Sequence, residues 1–370
     1  MTRIAVPLIA LLVSLPLVPL ARAETAAFGP PPGAKLSVEK LSTIADFING
    51  EIAGGRIPGA IVLVQQHGKP VYLKWFGLRD PEKGTPMTKD AIVPIHSVTK
   101  TITSVAAMML VDRGKIALDD PVSKYIPSFA AMKVGVERKD DGGKTVLDLV
   151  PPRRPMTVRD LLLHTSGITY GFYGEGLVKS AYNGIYLGDF DNAGFAERIA
   201  KVPLAEEPGT LWDYGHSADI LGRVIEVASG ESLYQFEKQN LFDPLRMTTT
   251  KFFLTDPAER ARYAQPLAKD RHVERNSLDV TRWESGGGGL VSTRCTAIAR
   301  RKSGITLAAR TMSSIMVPRP GPSSTSRTSA GASICRHTAA LHRPMSSPNI
   351  WLISGEVTKS PPEPSGSRLM

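Results

Sequence analysis

Residues 94–110 read PIHSVTKTITSVAAMML, and within them Ser97 stands three positions before Lys100. The apolar residues after Ser97 recur at helical spacing, which predicts a buried helix that ends near residues 113–114, with Gly114 as its C-cap. Residues i and i+3 of a helix share one face, so the Lys100 amine can reach the Ser97 hydroxyl. A serine needs such an adjacent base to attack a carbonyl at neutral pH. The stretch therefore predicts a catalytic pair, with Ser97 as the nucleophile and Lys100 beside it.

The Ser-x-x-Lys pattern does not decide this by itself, because the chain contains it twice. Ser37 and Lys40 have the same spacing at the start of an ordinary amphipathic helix, where Ser37 is predicted to be an N-cap. The same interpretation is open for Ser97. The surrounding sequence has to decide between a helix cap and a nucleophile.

Further motifs follow Ser97 along the chain. They are GK at residues 114–115, LDDPV at 118–122, LLLHTSG at 161–167 and WDYGHS at 212–217. In this order they resemble the serine β-lactamase and penicillin-binding-protein superfamily, and in particular its class C β-lactamase-related esterases. The resemblance covers roughly residues 40–293. It implies an α/β fold (an α+β sandwich), in which an antiparallel sheet is flanked by helices and set against an all-helical region near residues 100–245, with the site at the junction.

Tyr214 is the third predicted catalytic residue. The resemblance implies a tyrosine whose phenolate, stabilised by the neighbouring lysine, takes the proton of Ser97 and returns it to the leaving group. A lone tyrosine near a helix start is more often a half-buried structural aromatic. Tyr214, however, follows a Pro-Gly-Thr turn at residues 208–210 and precedes an apolar helical run, which is where the second catalytic motif is expected.

His216 marks a departure from the resemblance. A β-lactamase usually has Tyr-x-Asn where this chain has Tyr214-Gly215-His216. Asparagine offers a donor and an acceptor to an amide-bearing substrate, whereas histidine offers at most one of each. We therefore predict that His216 contacts the substrate and that the substrate is an ester. A class C-like β-lactamase or D-alanyl-D-alanine peptidase is the alternative, and a catalytically impaired, truncated relative that only binds its ligand is the alternative of another class.

Two other residues compete for catalytic roles. Ser217 lies in a near match to the G-x-S-x-G elbow of α/β-hydrolases, but the last glycine is replaced by Asp219 and no clear strand precedes it. We interpret Ser217 and Asp219 as first-turn residues of a helix. His164 closes a helix that Thr157 and Asp160 open as a capping box, which favours a structural role.

The N-terminal segment has the pattern of a signal peptide. Residues 1–23 combine a basic start, an apolar run interrupted by prolines and an Ala-x-Ala site, so the mature chain is expected to begin at Glu24 and to be periplasmic or secreted, without a membrane anchor. Residues 24–34 are predicted to be a linker, and residues 35–293 the hydrolase domain. Within that domain, residues 60–64 and 71–76 predict an antiparallel hairpin.

The last part of the chain does not fit a hydrolase domain. Residues 294–370 hold eleven Lys and Arg but only two Glu and no Asp, so this tail carries +9 of the net charge of +10. Both cysteines, Cys295 and Cys335, also lie there. Such a Ser-, Pro- and Arg-rich segment cannot easily complete a sheet, and we expect the C-terminal strands to be missing.

The tail also lacks the third motif that the resemblance implies, a Lys/His-x-Gly strand that gives half of the oxyanion hole. Our hypothesis is that residues 294–370 are translated in the wrong reading frame after Thr293; a natural disordered basic tail is the alternative. Reading the other two frames of the gene tests this, since one of them should resume with strand patterns and a K/H-x-G motif. A basic balance concentrated in this tail does not indicate nucleic-acid binding.

Neither a metal nor a cofactor is indicated by the sequence. The seven histidines are scattered without paired ligand spacing, and the glycine run at residues 286–289 lacks the lysine of a phosphate-binding loop. We expect a monomer that acts on a small-molecule ester or β-lactam, with no nucleic-acid partner, no metal and no cofactor.

Overall fold

The computed structural model describes residues 37–66, 69–270, 278–293 and 350–356. The predicted signal peptide and linker, residues 1–23 and 24–34, and most of the tail lie outside the described residues. The helices are Val38–Ala53 (α1), Val98–Asp112 (α2), Val158–Leu163 (α3), Leu177–Ala181 (α4), Asn192–Ile199 (α5), Ser217–Ser229 (α6), Leu233–Glu237 (α7) and Pro257–Ala261 (α8). The strands are Gly59–Gln66 (β1), Lys69–Asp80 (β2), Thr85–Pro86 (β3), Val93–Pro94 (β4), Val134–Lys139 (β5), Thr145–Val150 (β6), Val291–Ser292 (β7) and Ile350–Glu356 (β8).

The main sheet has the order β3-β2-β1-β8. Strands β1 and β2 pair antiparallel from Gly59↔Gly77 onward, which confirms the predicted hairpin. Alternate residues of β1 point to opposite faces, so Val62 packs with Ile48 of α1 on one face while Ile61 packs with Trp75 on the other. Sheet and helices together confirm the predicted fold class.

Strand β8 corrects one expectation about the tail. Residues 350–356, IWLISGE, pair parallel with β1 in the register Gly59↔Ile350, although the C-terminal strands were expected to be missing. The four apolar residues that open this segment are strand formers, and this local signal was outweighed by the polar, basic composition around it.

The helical part packs α2 against α6, and α6 in turn against α3 and α5. A large apolar core joins these helices, and its fully buried members include Leu161, Phe195, Ile220 and Val224. One element departs from the predicted all-helical region near residues 100–245, because β5 and β6 form a hairpin there. The cause is the content of β-branched residues in VGVERK and TVLDLV, which flank a turn in which Gly143 has φ +77°.

A second small sheet brings distant segments to the start of α2. Strands β4 and β7 pair antiparallel as Val93↔Ser292 and Pro94↔Val291. Because β4 leads into Ser97 and β7 follows the glycine run, residues 286–289 are held against the first turn of α2. Tyr214 reaches the same place from the segment that precedes α6.

Candidate active site

The start of α2 leaves the Ser97 hydroxyl available. The N–H groups of Val98, Thr99 and Lys100 donate to the carbonyls of the three residues from 95 to 97, at 3.1, 2.9 and 3.2 Å. These first-turn donors are thus satisfied by the backbone, and Ser97 makes no side-chain cap. The turn requires a left-handed backbone at His96, with φ +44°, which is unusual for a residue other than glycine.

The three residues predicted to be catalytic meet at one oxygen. The Tyr214 hydroxyl lies 2.6 Å from Ser97 Oγ, and Lys100 Nζ lies 3.3 Å from the same atom. The Tyr214 contact joins residues 117 positions apart in sequence, so it depends on the fold and not on local helix geometry. The predicted Ser97–Lys100–Tyr214 constellation is therefore present as geometry, while the role of each residue stays a prediction.

Lys100 is a buried ammonium with a full set of acceptors. Its side chain donates to Ser97 Oγ at 3.3 Å, to the Tyr170 hydroxyl at 3.2 Å and to the Gly287 carbonyl at 2.6 Å, and the residue is only 5% exposed. An ammonium has three N–H donors, and all three are matched here. This coordination fixes the cation beside the Ser97 oxygen, and the ring of Tyr214 lies 4.6 Å from the same Nζ.

Tyr170 belongs to the site although the sequence did not point to it. Burial raises the pKa of its phenol well above the usual value, so Tyr170 stays neutral at all ordinary pH values. It accepts one hydrogen bond from Lys100 and stands beside Tyr214, with ring centroids 5.5 Å apart. Its only sequence signal is a place three residues after the HTSG turn, which does not specify a contact with α2.

Asp219 is a second functional neighbour that sequence reasoning assigned only to a helix turn. Its carboxylate accepts from Ser285 Oγ at 2.5 Å, from the Gly287 N–H at 3.0 Å and shares a 3.0 Å contact with His216 Nδ1. Burial alone would raise its pKa, but the hydrogen bond and charge of His216, the charge of Lys100 and the bond from Ser285 lower it. Asp219 is therefore a buried anion that anchors the glycine turn.

The glycine run is required by this close packing. A Cβ on Gly287 would lie 2.5 Å from the Asp219 carboxylate, and one on Gly286 would lie 2.6 Å from the Ala218 carbonyl. The Gly287 N–H donates to Asp219 and the Gly287 carbonyl accepts from Lys100, so this one residue links the buried carboxylate to the ammonium. The position of Lys100 thus depends on residues from three separate segments.

His216 lies behind the site. It is 3% exposed, and its ring packs edge-on against Tyr170 at 4.4 Å and against Phe195 at 5.1 Å. Its Nε2 has no hydrogen-bond partner within the described residues. His216 therefore has almost no accessible surface with which to make the predicted substrate contact. It contacts Asp219 and Tyr170, which in turn lie beside Lys100 and Gly287.

The two competing residues take the structural places that were predicted for them. His164 is the left-handed C-cap of α3, with φ +56°, and the helix begins with the capping box of Thr157 and Asp160. Ser217 opens α6, is fully buried and hydrogen-bonds Ser166. The Ser217 hydroxyl and the His164 imidazole therefore have structural places, and Ser97 stays the predicted nucleophile.

His164 has an additional environment that its capping role did not predict. Its ring lies 5.0 Å from that of Tyr214. Burial, with a smaller contribution from the Lys100 charge, lowers the pKa of His164 to about 4. The imidazole is therefore neutral at pH 7 and contributes no charge to the site.

The Ser97 N–H completes the local arrangement. It forms no hydrogen bond within the described residues, which leaves it free to act as one oxyanion donor. The predicted source of the second donor, a strand in residues 294–370, lies outside the described residues apart from β8. In the part of the chain that is described, no three His, Cys, Asp or Glu side chains are grouped as for a metal, and no helix has the length and apolarity needed to cross a membrane.

The chain is similar in sequence to a known protein family and to esterases of that family. The Beta-lactamase family model matches residues 44–295. Esterase EstB from Burkholderia gladioli is 35% identical over 215 residues, which is 57% of this chain and 50% of EstB. Lovastatin esterase from Penicillium rubens is 35% identical over 245 residues, covering 65% of this chain and 59% of that enzyme.

A solved structure has the same architecture. EstCE1, described as a hydrolase with promiscuous acyltransferase activity, superimposes with a TM-score of 0.56 at 26% identity, over 69% of this chain and 70% of its own. The chain spans about 50 to 60% of the length of the curated relatives named above. The family match ends two residues after Thr293, the point at which the composition changes.

Proposed function

This chain belongs to the beta-lactamase family, as its motifs predicted, and we propose from this premise that it hydrolyses carboxylic esters through an acyl-enzyme on Ser97. The observation that carries the proposal is the convergence of Tyr214 and Lys100 on Ser97 Oγ, at 2.6 and 3.3 Å. A nucleophile within hydrogen-bond reach of a base, with that base beside a fixed cation, is the arrangement that acyl transfer needs.

In the acylation step, Tyr214 acts as the base in its phenolate form. Ser97 Oγ attacks the ester carbonyl while its proton passes to the Tyr214 oxygen, and the Ser97 N–H donates to the carbonyl oxygen as it becomes negative. The bond from the carbonyl carbon to the alcohol oxygen then breaks, and Tyr214 returns the proton to that oxygen. The products of this half-reaction are a free alcohol and an ester on Ser97.

In the deacylation step, water takes the place of the alcohol. The water oxygen attacks the acyl carbon while Tyr214 removes a proton from the water. Tyr214 then gives this proton to Ser97 Oγ as the bond from Oγ to the acyl carbon breaks, and the carboxylic acid is released. Lys100 stabilises negative charge in both steps, and its three hydrogen bonds favour this electrostatic role over a role as proton acceptor. Tyr170, held neutral by burial, fixes the ammonium from the other side.

An ester is favoured over a lactam by the residue at position 216. Asparagine at this place would offer an amide to the amide group of a β-lactam or peptide, whereas His216 is turned inward and bonded to Asp219. The names of the esterase relatives agree with this choice. A β-lactam remains the second candidate, and ligand binding without turnover the third.

The test is turnover of three probes by the purified full-length chain. A nitrophenyl ester, a chromogenic cephalosporin and a fluorescent penicillin distinguish the three candidates. Ester hydrolysis that Ser97→Ala abolishes supports the proposal, with Ser37→Ala as the matched control in the same Ser-x-x-Lys pattern. Treatment with a covalent phosphonate should add its mass to the peptide that contains Ser97. Cephalosporin turnover in the absence of ester turnover would contradict the ester proposal.

We also propose that the protein is exported, on the basis of the pattern in residues 1–23. N-terminal sequencing of the product from an intact cell should begin at Glu24. A product that retains Met1 and fractionates with the cytoplasm would rule out export.

A further inference from the structure

Several exposed apolar side chains lie around the Ser97 site. Phe172, Tyr173 and Trp212 are 46%, 43% and 63% exposed, and we call these three residues the aromatic rim. Two more exposed apolar residues, Val98 and Leu211, directly follow Ser97 and precede Trp212 in sequence. Scattered exposed apolar residues are normal on a protein surface, but a contiguous group beside a nucleophile marks a ligand site.

Ring contacts connect the aromatic rim to the reacting oxygen. Trp212 and Tyr173 each lie 6.2 Å, centroid to centroid, from Tyr214, whose hydroxyl is 2.6 Å from Ser97 Oγ. Phe172 lies 4.6 Å from Tyr173 and 4.8 Å from Tyr170. The rings therefore form one continuous surface that begins at the site and opens to solvent.

Two titratable neighbours of Trp212, Asp213 and His164, leave no net charge beside its ring. Asp213, which stands between Trp212 and Tyr214, is paired with Lys179 in a partly buried ion pair. His164, whose ring is 6.4 Å from that of Trp212, is neutral at pH 7 because burial lowers its pKa to about 4. A ligand that lies on this surface thus meets apolar rings and a neutral imidazole, with no unpaired charge from these neighbours.

We propose that the aromatic rim binds a large, neutral, apolar group of the substrate, so that the chain prefers esters with an aromatic or branched hydrocarbon part to short-chain esters. This inference rests on the proposed ester hydrolysis at Ser97. Rigid aromatic side chains lose little conformational entropy on binding, and their faces stack on planar or alicyclic groups. Contact with the rim before and during the reaction orients the ester carbonyl toward Ser97 Oγ.

The first experiment is a comparison of substrates in a pH-stat, which needs no nitrophenol leaving group, so all the esters have ordinary alkyl alcohols. Ethyl acetate is compared with ethyl 4-phenylbutyrate, which enlarges the acyl side, and with 2-phenylethyl acetate, which enlarges the alcohol side. At least one of the larger esters should have a kcat/KM about 10-fold to 100-fold above that of ethyl acetate, the gain expected for burying one phenyl group. A ratio near one for both would overturn the inference.

Variants of the aromatic rim locate the preference. Trp212→Ala and Phe172→Ala should each lower the ratio of large-ester to ethyl acetate kcat/KM several-fold, and Trp212→Phe, which keeps a ring, should retain most of it. Phe47→Ala is the matched control, because Phe47 is an aromatic residue of α1 that is exposed to a similar degree. The same fall in Phe47→Ala as in Trp212→Ala would also overturn the inference.

A binding measurement separates this inference from the proposed function. In Ser97→Ala, the non-hydrolysable ketone 4-phenyl-2-butanone should quench tryptophan fluorescence, whereas acetone should not. The quench should disappear in Ser97→Ala combined with Trp212→Phe. Ketone binding to Ser97→Ala, together with no ester turnover by the parent chain, would support the aromatic rim as a binding surface and contradict the hydrolase proposal. Ser97-dependent turnover without ketone binding or size preference supports the hydrolase proposal and contradicts the rim.

Discussion

The starts of α1 and α2 carry the same Ser-Val-x-Lys sequence, yet they are built for different purposes. At α1, the Ser37 hydroxyl accepts from the Lys40 N–H at 3.2 Å and caps the helix, and the Lys40 side chain is exposed. At α2, the Ser97 hydroxyl meets Tyr214 and the Lys100 ammonium, and Lys100 is buried. The same four-residue pattern therefore gives a helix cap at α1 and a candidate nucleophile at α2, and the difference lies in the residues that the fold places around each serine.

Backbone conformation accounts for part of this difference. Ser37 has the extended conformation of an ordinary N-cap, with ψ 120°, which aims its oxygen at the first-turn N–H groups. Ser97 has ψ −6°, and a tight turn through His96 supplies backbone carbonyls to those donors. The hydroxyl released from capping at α2 is the one that the fold then places next to Tyr214.

The sharpest test of the comparison removes each hydroxyl in turn. Ser97→Ala should lower kcat for a nitrophenyl ester by a factor on the order of 10⁵, because the nucleophile is lost. Ser37→Ala should leave kcat unchanged and lower the free energy of unfolding by about 1 kcal/mol, because a helix cap is lost. Initial rates and urea unfolding measure the two effects. Equal losses of activity in both variants would refute the assignment of Ser97.

The second test removes each amine. Lys100→Met should lower kcat by roughly 10²- to 10⁴-fold, since a buried cation no longer stabilises negative charge on Ser97 and Tyr214 and the Gly287 carbonyl loses its donor. Lys40→Met, on the exposed face of α1, should leave kcat unchanged. It should change the free energy of unfolding by no more than about 0.5 kcal/mol. If Lys100→Met keeps the activity of the parent chain, the ammonium has no part in catalysis.

The contrast between the two motifs also shows what the sequence can predict. The Ser97–Lys100 contact follows from helix geometry, and the Tyr214 contact from the order of motifs, so both were predicted. Tyr170 and Gly287 reach Lys100 across 70 and 187 residues of sequence. No local pattern specifies such contacts, because they depend on how α2 packs against α6 and on the β4–β7 pairing.

His216 shows the same limit from the opposite side. Its position two residues after Tyr214 suggested a side chain that faces the substrate. In the folded chain it lies at the start of α6, and the bond to Asp219 three residues later turns the imidazole into the core. The i, i+3 spacing was visible in the sequence, but the packing of the imidazole against Tyr170 and Phe195 was not.

The third test uses pH, since the partly buried His164 lies beside Tyr214 of the α2 site, whereas the sequence of α1 holds no histidine. In the unfolded chain His164 has a pKa near 6.5, and in the folded chain its pKa is about 4. The unfolded state therefore binds more protons between these values, and stability falls as pH falls from 6.5 to 4. The loss from this residue is at most about 3 kcal/mol.

The histidine variant isolates this effect. His164→Asn keeps a residue that tolerates the left-handed C-cap but cannot be protonated. Its free energy of unfolding, measured by urea titration at pH 4 to 7, should depend less on pH than that of the parent chain. An identical pH dependence in both proteins would show that the imidazole is not held neutral by the fold.

The last and smallest test adds one methyl group to a glycine of each region, Gly287 at the α2 site and Gly50 in α1. Gly287→Ala should lower kcat about tenfold, because its Cβ would lie 2.5 Å from the Asp219 carboxylate and the turn must move, taking its carbonyl away from Lys100. Gly50→Ala in α1 meets no atom within 4 Å and should raise the free energy of unfolding by about 0.5 to 1 kcal/mol, since alanine favours a helix.

Steady-state kinetics and urea unfolding of both glycine variants give the comparison. A positioning role for Gly287 predicts that kcat falls while KM changes little, because the ammonium acts mainly on charge that develops in the transition state. A fall in stability with an unchanged kcat would mean that the turn only supports the fold. In that case the ammonium does not depend on the peptide link to Asp219, and its hydrogen bonds to Ser97 and Tyr170 suffice to hold it.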